Sequence, residues 1–112
     1  MTEQLISTLI IRPHHLDGLR ALLQQHLPHA EVWAYGSRVN DDGHDASDLD
    51  LVARQPHDLT APTQGLATFM EACTESALPI RVEIVDWAHI PEHFQREIVR
   101  GYVVVQRERV HA

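Results

Sequence analysis

The chain has 112 residues, with 9 Lys and Arg against 16 Asp and Glu, a formal charge of −7 and one cysteine. That length suits a single domain over residues 1–112, with room for one core but not for a second domain that holds a large substrate. The acidic balance supplies no field to attract a phosphate backbone, so direct nucleic-acid binding is not expected; a lone Cys73 excludes an intrachain disulfide and fits a reducing compartment.

The first residues, MTEQLISTLI, lack a basic region and a cleavage site of a secretory leader, and no apolar run approaches the roughly 20 residues of a membrane span. A cytoplasmic protein is expected. Leu16, Leu19, Leu22, Leu23 and Leu27 recur at helical spacing between Pro13 and Pro28, which predicts a helix over about residues 13 to 26. EVWAY, Glu31 to Tyr35, reads as a strand ending at Gly36, and DLDLVA, Asp48 to Ala53, as a second strand. Leu66, Phe69, Met70 and Cys73 place a helix between Thr63 and Ala77, and Pro79 introduces a third strand, Ile80 to Val85. Pro91 opens a last helix carrying Phe94 and Ile98, Gly101 ends it, and YVVVQ is the final strand. Strands alternating with helices imply an α/β or α+β sheet with helices packed on it, without fixing the strand order. There is no internal repeat or low-complexity tract.

The chemistry lies in AYGSRVNDDGHDASDLDLVAR, residues 34 to 54. On a strand, positions i and i+2 share a face, so Asp48 and Asp50 project together while Leu49 and Leu51 enter the core. Two adjacent carboxylates repel when bare and are favourable when they share a hard divalent cation with substrate phosphates. Upstream, Gly36 and Ser37 at a strand end form a turn whose main-chain N–H groups and hydroxyl suit phosphate oxygens. Each half alone is commonplace, since Gly-Ser is usually a turn and Asp-x-Asp usually a solvated edge. Together, with ten residues between Ser37 and Asp48, they are far less common. The nine histidines read as solvated surface groups, including the i,i+4 pair His89 and His93, and Trp33 and Trp87 read as core aromatics rather than a binding surface.

These motifs resemble the nucleotidyltransferase superfamily with the DNA polymerase β-like fold, whose signature is Gly-Ser followed by Ser-Asp-x-Asp-Leu. WAYGSR, DASDLDLV and the tail VEIVDWAHIPEHFQREIVRGYVVV are similar to the minimal nucleotidyltransferases over nearly the whole chain. The resemblance implies a mixed sheet of about four strands. It also implies a third carboxylate on a neighbouring strand, which it assigns to Glu83, where the family usually has Asp. Asp86, at odd spacing from Glu83, is expected on the opposite strand face as a cap or surface acid. Asp41 stands where many relatives have glycine, and Asp42-Gly43 is positioned to supply that turn.

The activity so implied is Mg²⁺-dependent transfer of AMP from ATP to a hydroxyl. Asp48, Asp50 and Glu83 would be catalytic and hold the metal, as two ions, and Gly36, Ser37, Arg38 and Ser47 would bind the nucleotide. Arg38 reads equally as a surface charge. The partner implied is a HEPN-type helical toxin, adenylylated on a tyrosine by this chain acting as antitoxin, in a hetero-oligomer. Glu83 and Asp41 favour a rival, an inactive antitoxin that neutralises its partner by binding alone. Transfer to a small molecule, as in aminoglycoside-modifying relatives, ranks last because it needs a drug-holding domain.

Overall fold

Pro13 starts the first helix in the computed structural model, which describes residues 9–39 and 48–108. Proline's fixed φ suits a first helical turn, and helix α1 (Pro13–His26) ends where the Leu27 N–H closes back on the Leu23 carbonyl at 2.7 Å. Leu19 and Leu23 are fully buried, each removing enough apolar surface from water to stabilise the fold by about 1.5–3 kcal/mol. The chain then continues through β1 (Glu31–Tyr35), β2 (Leu49–Arg54), α2 (Leu66–Glu75), β3 (Val82–Asp86), a 3-10 turn (Trp87–His89), α3 (Glu92–Val99) and β4 (Tyr102–Gln106).

The four strands form one mixed sheet in the order β3-β2-β1-β4. β1 runs antiparallel to both β2 and β4, whereas β2 and β3 are parallel. A parallel pair cannot be closed by a hairpin, and α2 supplies the crossover. Strand alternation divides the interior in two. Val32, Ala34, Leu49, Leu51 and Ala53 face α1 and α2, where they pack with Leu19, Leu23, Phe69 and Cys73. Trp33, Val52 and Tyr35 face the other way, onto Trp87, Phe94 and Ile98. There Trp33 stacks on Tyr102 at 3.9 Å and meets Trp87 edge-on at 5.6 Å, so both tryptophans are core. The Arg54 guanidinium lies over both indoles, at 4.4 and 5.1 Å, and pairs with Glu31 at 3.3 Å.

Several boundaries differ from expectation: β2 begins at Leu49 rather than Asp48, β3 at Val82 rather than Ile80, and at α2 a distant group intervenes. Helix α2 starts at Leu66 rather than Thr63, because the Thr63 N–H donates to the Asp86 carboxylate at 3.0 Å and Gly65 takes φ +93° against the end of α1. Pro91 sits at the N-cap of α3, and Ile90 and Pro91 separate His89 from His93. The two histidines therefore share no helix, and His89 Nδ1 lies 3.4 Å from Asp86 instead. Among the described residues no helix is long and apolar enough to cross a membrane.

Candidate active site

Sheet register assembles the site. Tyr35 at the end of β1 pairs with Asp50 on β2, and Asp50 pairs with Glu83 on β3. Pairing across neighbouring strands keeps all three on one face, the α3 side, while Leu49 and Leu51, both fully buried, anchor β2 from the other. Asp48 is exposed, immediately before β2 and two residues from Asp50.

The charges at this end of the sheet act on one another. Burial, then the Asp48 and Glu83 carboxylates, hold Asp50 above the usual aspartate range. Burial, with Asp50 and Glu83 adding to it, pushes the Tyr35 hydroxyl up to about 12. Ionisation of Asp50 is penalised here, and a bound cation would relieve it.

Gly36 holds the neighbouring turn at φ +83°, with its carbonyl accepting from the Val39 N–H at 3.0 Å. A Cβ at this position would stand 2.7 Å from Asp50 Oδ2. The Asp50 carboxylate thus occupies space that any side chain at Gly36 would need, so the glycine turn and the acidic strand adjoin directly. Ser37 is half-buried beside it. A cleft of about 370 Å³ opens at Gly36, lined also by Tyr35, Phe94, Glu97 and Arg100.

Arg38 is 2 % exposed, so its reading as a surface charge is corrected. Its guanidinium donates to the Ile10 carbonyl at 2.7 Å, and its own carbonyl accepts from the Ile10 N–H at 2.8 Å. The side chain clips the turn to the segment ahead of α1. Ser47, Asp41, Asp42 and Gly43 lie outside the described residues.

In kind, Asp48, Asp50 and Glu83 suit Mg²⁺, a hard ion that takes carboxylate oxygens. They share one end of the sheet without closing on a point. Among the described residues no three His, Cys, Asp or Glu side chains are gathered closely enough to hold a metal ion. Glu83 instead meets Arg81, with Nε 3.4 Å from Oε2. Asp86 pairs with Ala53, on the opposite strand face as expected, and is 8 % exposed. It accepts from the Thr63 N–H and, at 3.4 Å, from the Ala88 N–H, capping the 3-10 turn from the interior rather than from the surface.

Sequence reasoning missed Tyr35 and Arg81. Arg81 was within reach of it, because the i,i+2 alternation that joins Asp48 to Asp50 also joins Arg81 to Glu83. Tyr35 was not, since its place beside Asp50 follows from cross-strand register alone.

The chain matches the family described as "Nucleotidyltransferase domain" over residues 16–106. It is 39% identical over 100 residues to a Haemophilus influenzae protein named "Probable protein adenylyltransferase MntA", covering 88% of this chain and 84% of that one. A solved structure described as "Crystal structure of the toxin-antitoxin with AMP-PNP" has the same fold, with a TM-score of 0.64 and 19% identity, over 84% of this chain and 74% of that one.

Proposed function

The chain belongs to the nucleotidyltransferase domain family, as WAYGSR and DASDLDLV led us to expect, and within it we propose a protein adenylyltransferase that acts as an antitoxin. It transfers AMP from ATP to a tyrosine hydroxyl of a HEPN-type helical toxin, with Mg²⁺ held by Asp48, Asp50 and Glu83. The name of the Haemophilus influenzae relative supports protein adenylylation, and the toxin-antitoxin complex with AMP-PNP supports the setting and the nucleotide. The single observation that carries the reading is that the Asp50 carboxylate fills the space a Cβ at Gly36 would take, 2.7 Å away, which supports one ligand spanning the glycine turn and the acidic strand.

In this mechanism the Gly36 and Ser37 N–H groups and the Ser37 hydroxyl hold the β- and γ-phosphates, with Ser47 a further donor. Arg38 fixes the turn through Ile10 rather than from solvent. The acceptor hydroxyl releases its proton to solvent as its oxygen bonds to the α-phosphorus, the bond to the β-phosphate oxygen breaks, and pyrophosphate leaves along the line of attack. Asp48, Asp50 and Glu83 are the residues that would hold the metal ions, at the end of the sheet beside the glycine turn. When bound, Mg²⁺ neutralises charge on the leaving pyrophosphate and lowers the pKa of the attacking hydroxyl. Tyr35, kept neutral at physiological pH, adds no further negative charge to a site that must accept a polyphosphate.

The test is intact-mass spectrometry of a co-expressed helical partner encoded next to this chain. Added AMP units are expected with the parent and absent with the double variant Asp48→Asn and Asp50→Asn; undiminished labelling by that variant sinks the mechanism. The pairing of Glu83 with Arg81, away from a closed metal site, favours a second reading, an antitoxin that works by binding alone. A pure binder leaves the partner unlabelled with ATP and Mg²⁺ and still suppresses it.

A further inference from the structure

Arg81 stands just ahead of β3, two residues before Glu83, and its carbonyl accepts from the Leu49 N–H at 2.8 Å. The next steps of this register pair Leu49 with Val82 and Asp50 with Glu83. Two neighbouring segments therefore bring Asp48, Asp50, Glu83 and one guanidinium to the same end of the sheet. Other arginines close to this face are engaged elsewhere, Arg54 between two indoles and Glu31, Arg38 on the Ile10 carbonyl, and Arg100 with Glu97 at 3.7 Å. Arg81 pairs with a carboxylate of the site, Glu83.

We propose that Arg81 is the resident counter-cation of this carboxylate row, holding Glu83 in the metal-free protein and yielding it to an entering divalent cation. The proposal rests on the metal-site reading above. Geometry makes the exchange cheap. The Arg81 side chain is 75% exposed and that of Glu83 49%, so water screens the pair and either partner can swing away without leaving a buried charge. Glutamate, one methylene longer than the usual aspartate, meets Arg81 with Oε2 3.4 Å from Nε. Arg81 acts through Glu83, as a positioning residue. It lets the acidic row fold without metal and sets the cation concentration at which the site fills.

The experiment is Mn²⁺ titration of metal-free protein without nucleotide, read by electron paramagnetic resonance, for the parent, Arg81→Gln, Glu83→Gln, the two combined, and the Asp48→Asn and Asp50→Asn double variant. Arg81→Gln is expected to bind Mn²⁺ about two- to fivefold more tightly, the factor that an exposed ion pair corresponds to. In the Glu83→Gln background the same substitution is expected to change affinity little, because the pair is already gone. No tightening, or equal tightening in both backgrounds, overturns the proposal, the latter showing a general field and no pairing with Glu83. Parent Mn²⁺ binding that is absent, or indifferent to loss of Asp48 and Asp50, overturns the metal site itself and this proposal with it. A melting temperature measured for each variant separates these outcomes from misfolding.

Discussion

Gly36→Ala perturbs backbone and site together. An alanine at φ +83° is in the left-handed region, which costs about 1–2 kcal/mol. Its Cβ would lie 2.7 Å from Asp50 Oδ2, and reaching an ordinary contact of 3.4 Å requires a shift of about 0.7 Å. The Asp50 side chain is the movable partner, so the proposed metal ligand gives way. Misplacing a reacting group by an ångström costs about 100-fold in rate, so AMP transfer is expected to fall by roughly 10- to 100-fold. For a domain of this size each kcal/mol lowers the melting temperature by about 4–8 °C, giving a drop of about 5–15 °C. Gly65→Ala is the control: φ is +93°, the nearest atoms are the His26 carbonyl oxygen at 3.1 Å and Leu27 Cδ2 at 3.3 Å, and no site carboxylate is near. It should lose comparable stability and keep its rate. The assay is transfer of labelled AMP per folded molecule, with folding read by circular dichroism. Equal rate losses at Gly36 and Gly65, or a parent rate in Gly36→Ala, would refute the claim that Gly36 exists to admit Asp50.

Asp50 links function to pH and stability. Its folded pKa is raised, so the protonated form is the one the fold favours; that contribution is full below the ordinary value of 3.8 and is lost as pH rises through the raised pKa. Ionised Asp50 therefore opposes folding at neutral pH, and Asp50→Asn should raise the melting temperature in chelator while abolishing AMP transfer. Mg²⁺ should raise the melting temperature of the parent and not of Asp50→Asn; a variant no more stable than the parent in chelator contradicts the electrostatic account. Asp86→Ala leaves the buried Thr63 N–H without its acceptor and should cost about 1–3 kcal/mol, measured by urea unfolding. Its AMP transfer per folded molecule should stay near the parent's while Glu83→Gln loses it; the reverse result would make Asp86 the third ligand.

Local periodicity made most of the fold legible. The leucines of α1, the DLDL alternation of β2 and the prolines ahead of β3 and α3 act within a few residues, so helix α1 matches its expected range of 13 to 26 and β4 matches YVVVQ. Of the edges that moved, one was decided by a group distant in the chain. Helix α2 begins late because a carboxylate 23 residues further on claims the Thr63 N–H. Arg38, expected either to help bind nucleotide or to lie as a surface charge, is buried because its guanidinium reaches the Ile10 carbonyl, 28 residues earlier.

By itself, the order of residues determined the family, the composition of the sheet and the pairing of a Gly-Ser turn with two aspartates, since spacing along one strand decides which side chains share a face. Only the tertiary structure decided that β3 lies beside β2 in a register matching Asp50 with Glu83, that Tyr35 borders them, and that Arg81 occupies the third carboxylate. Register between strands is set by how whole elements pack, with hydrogen bonds and buried side chains of distant segments satisfied at once, and no local spacing encodes that choice.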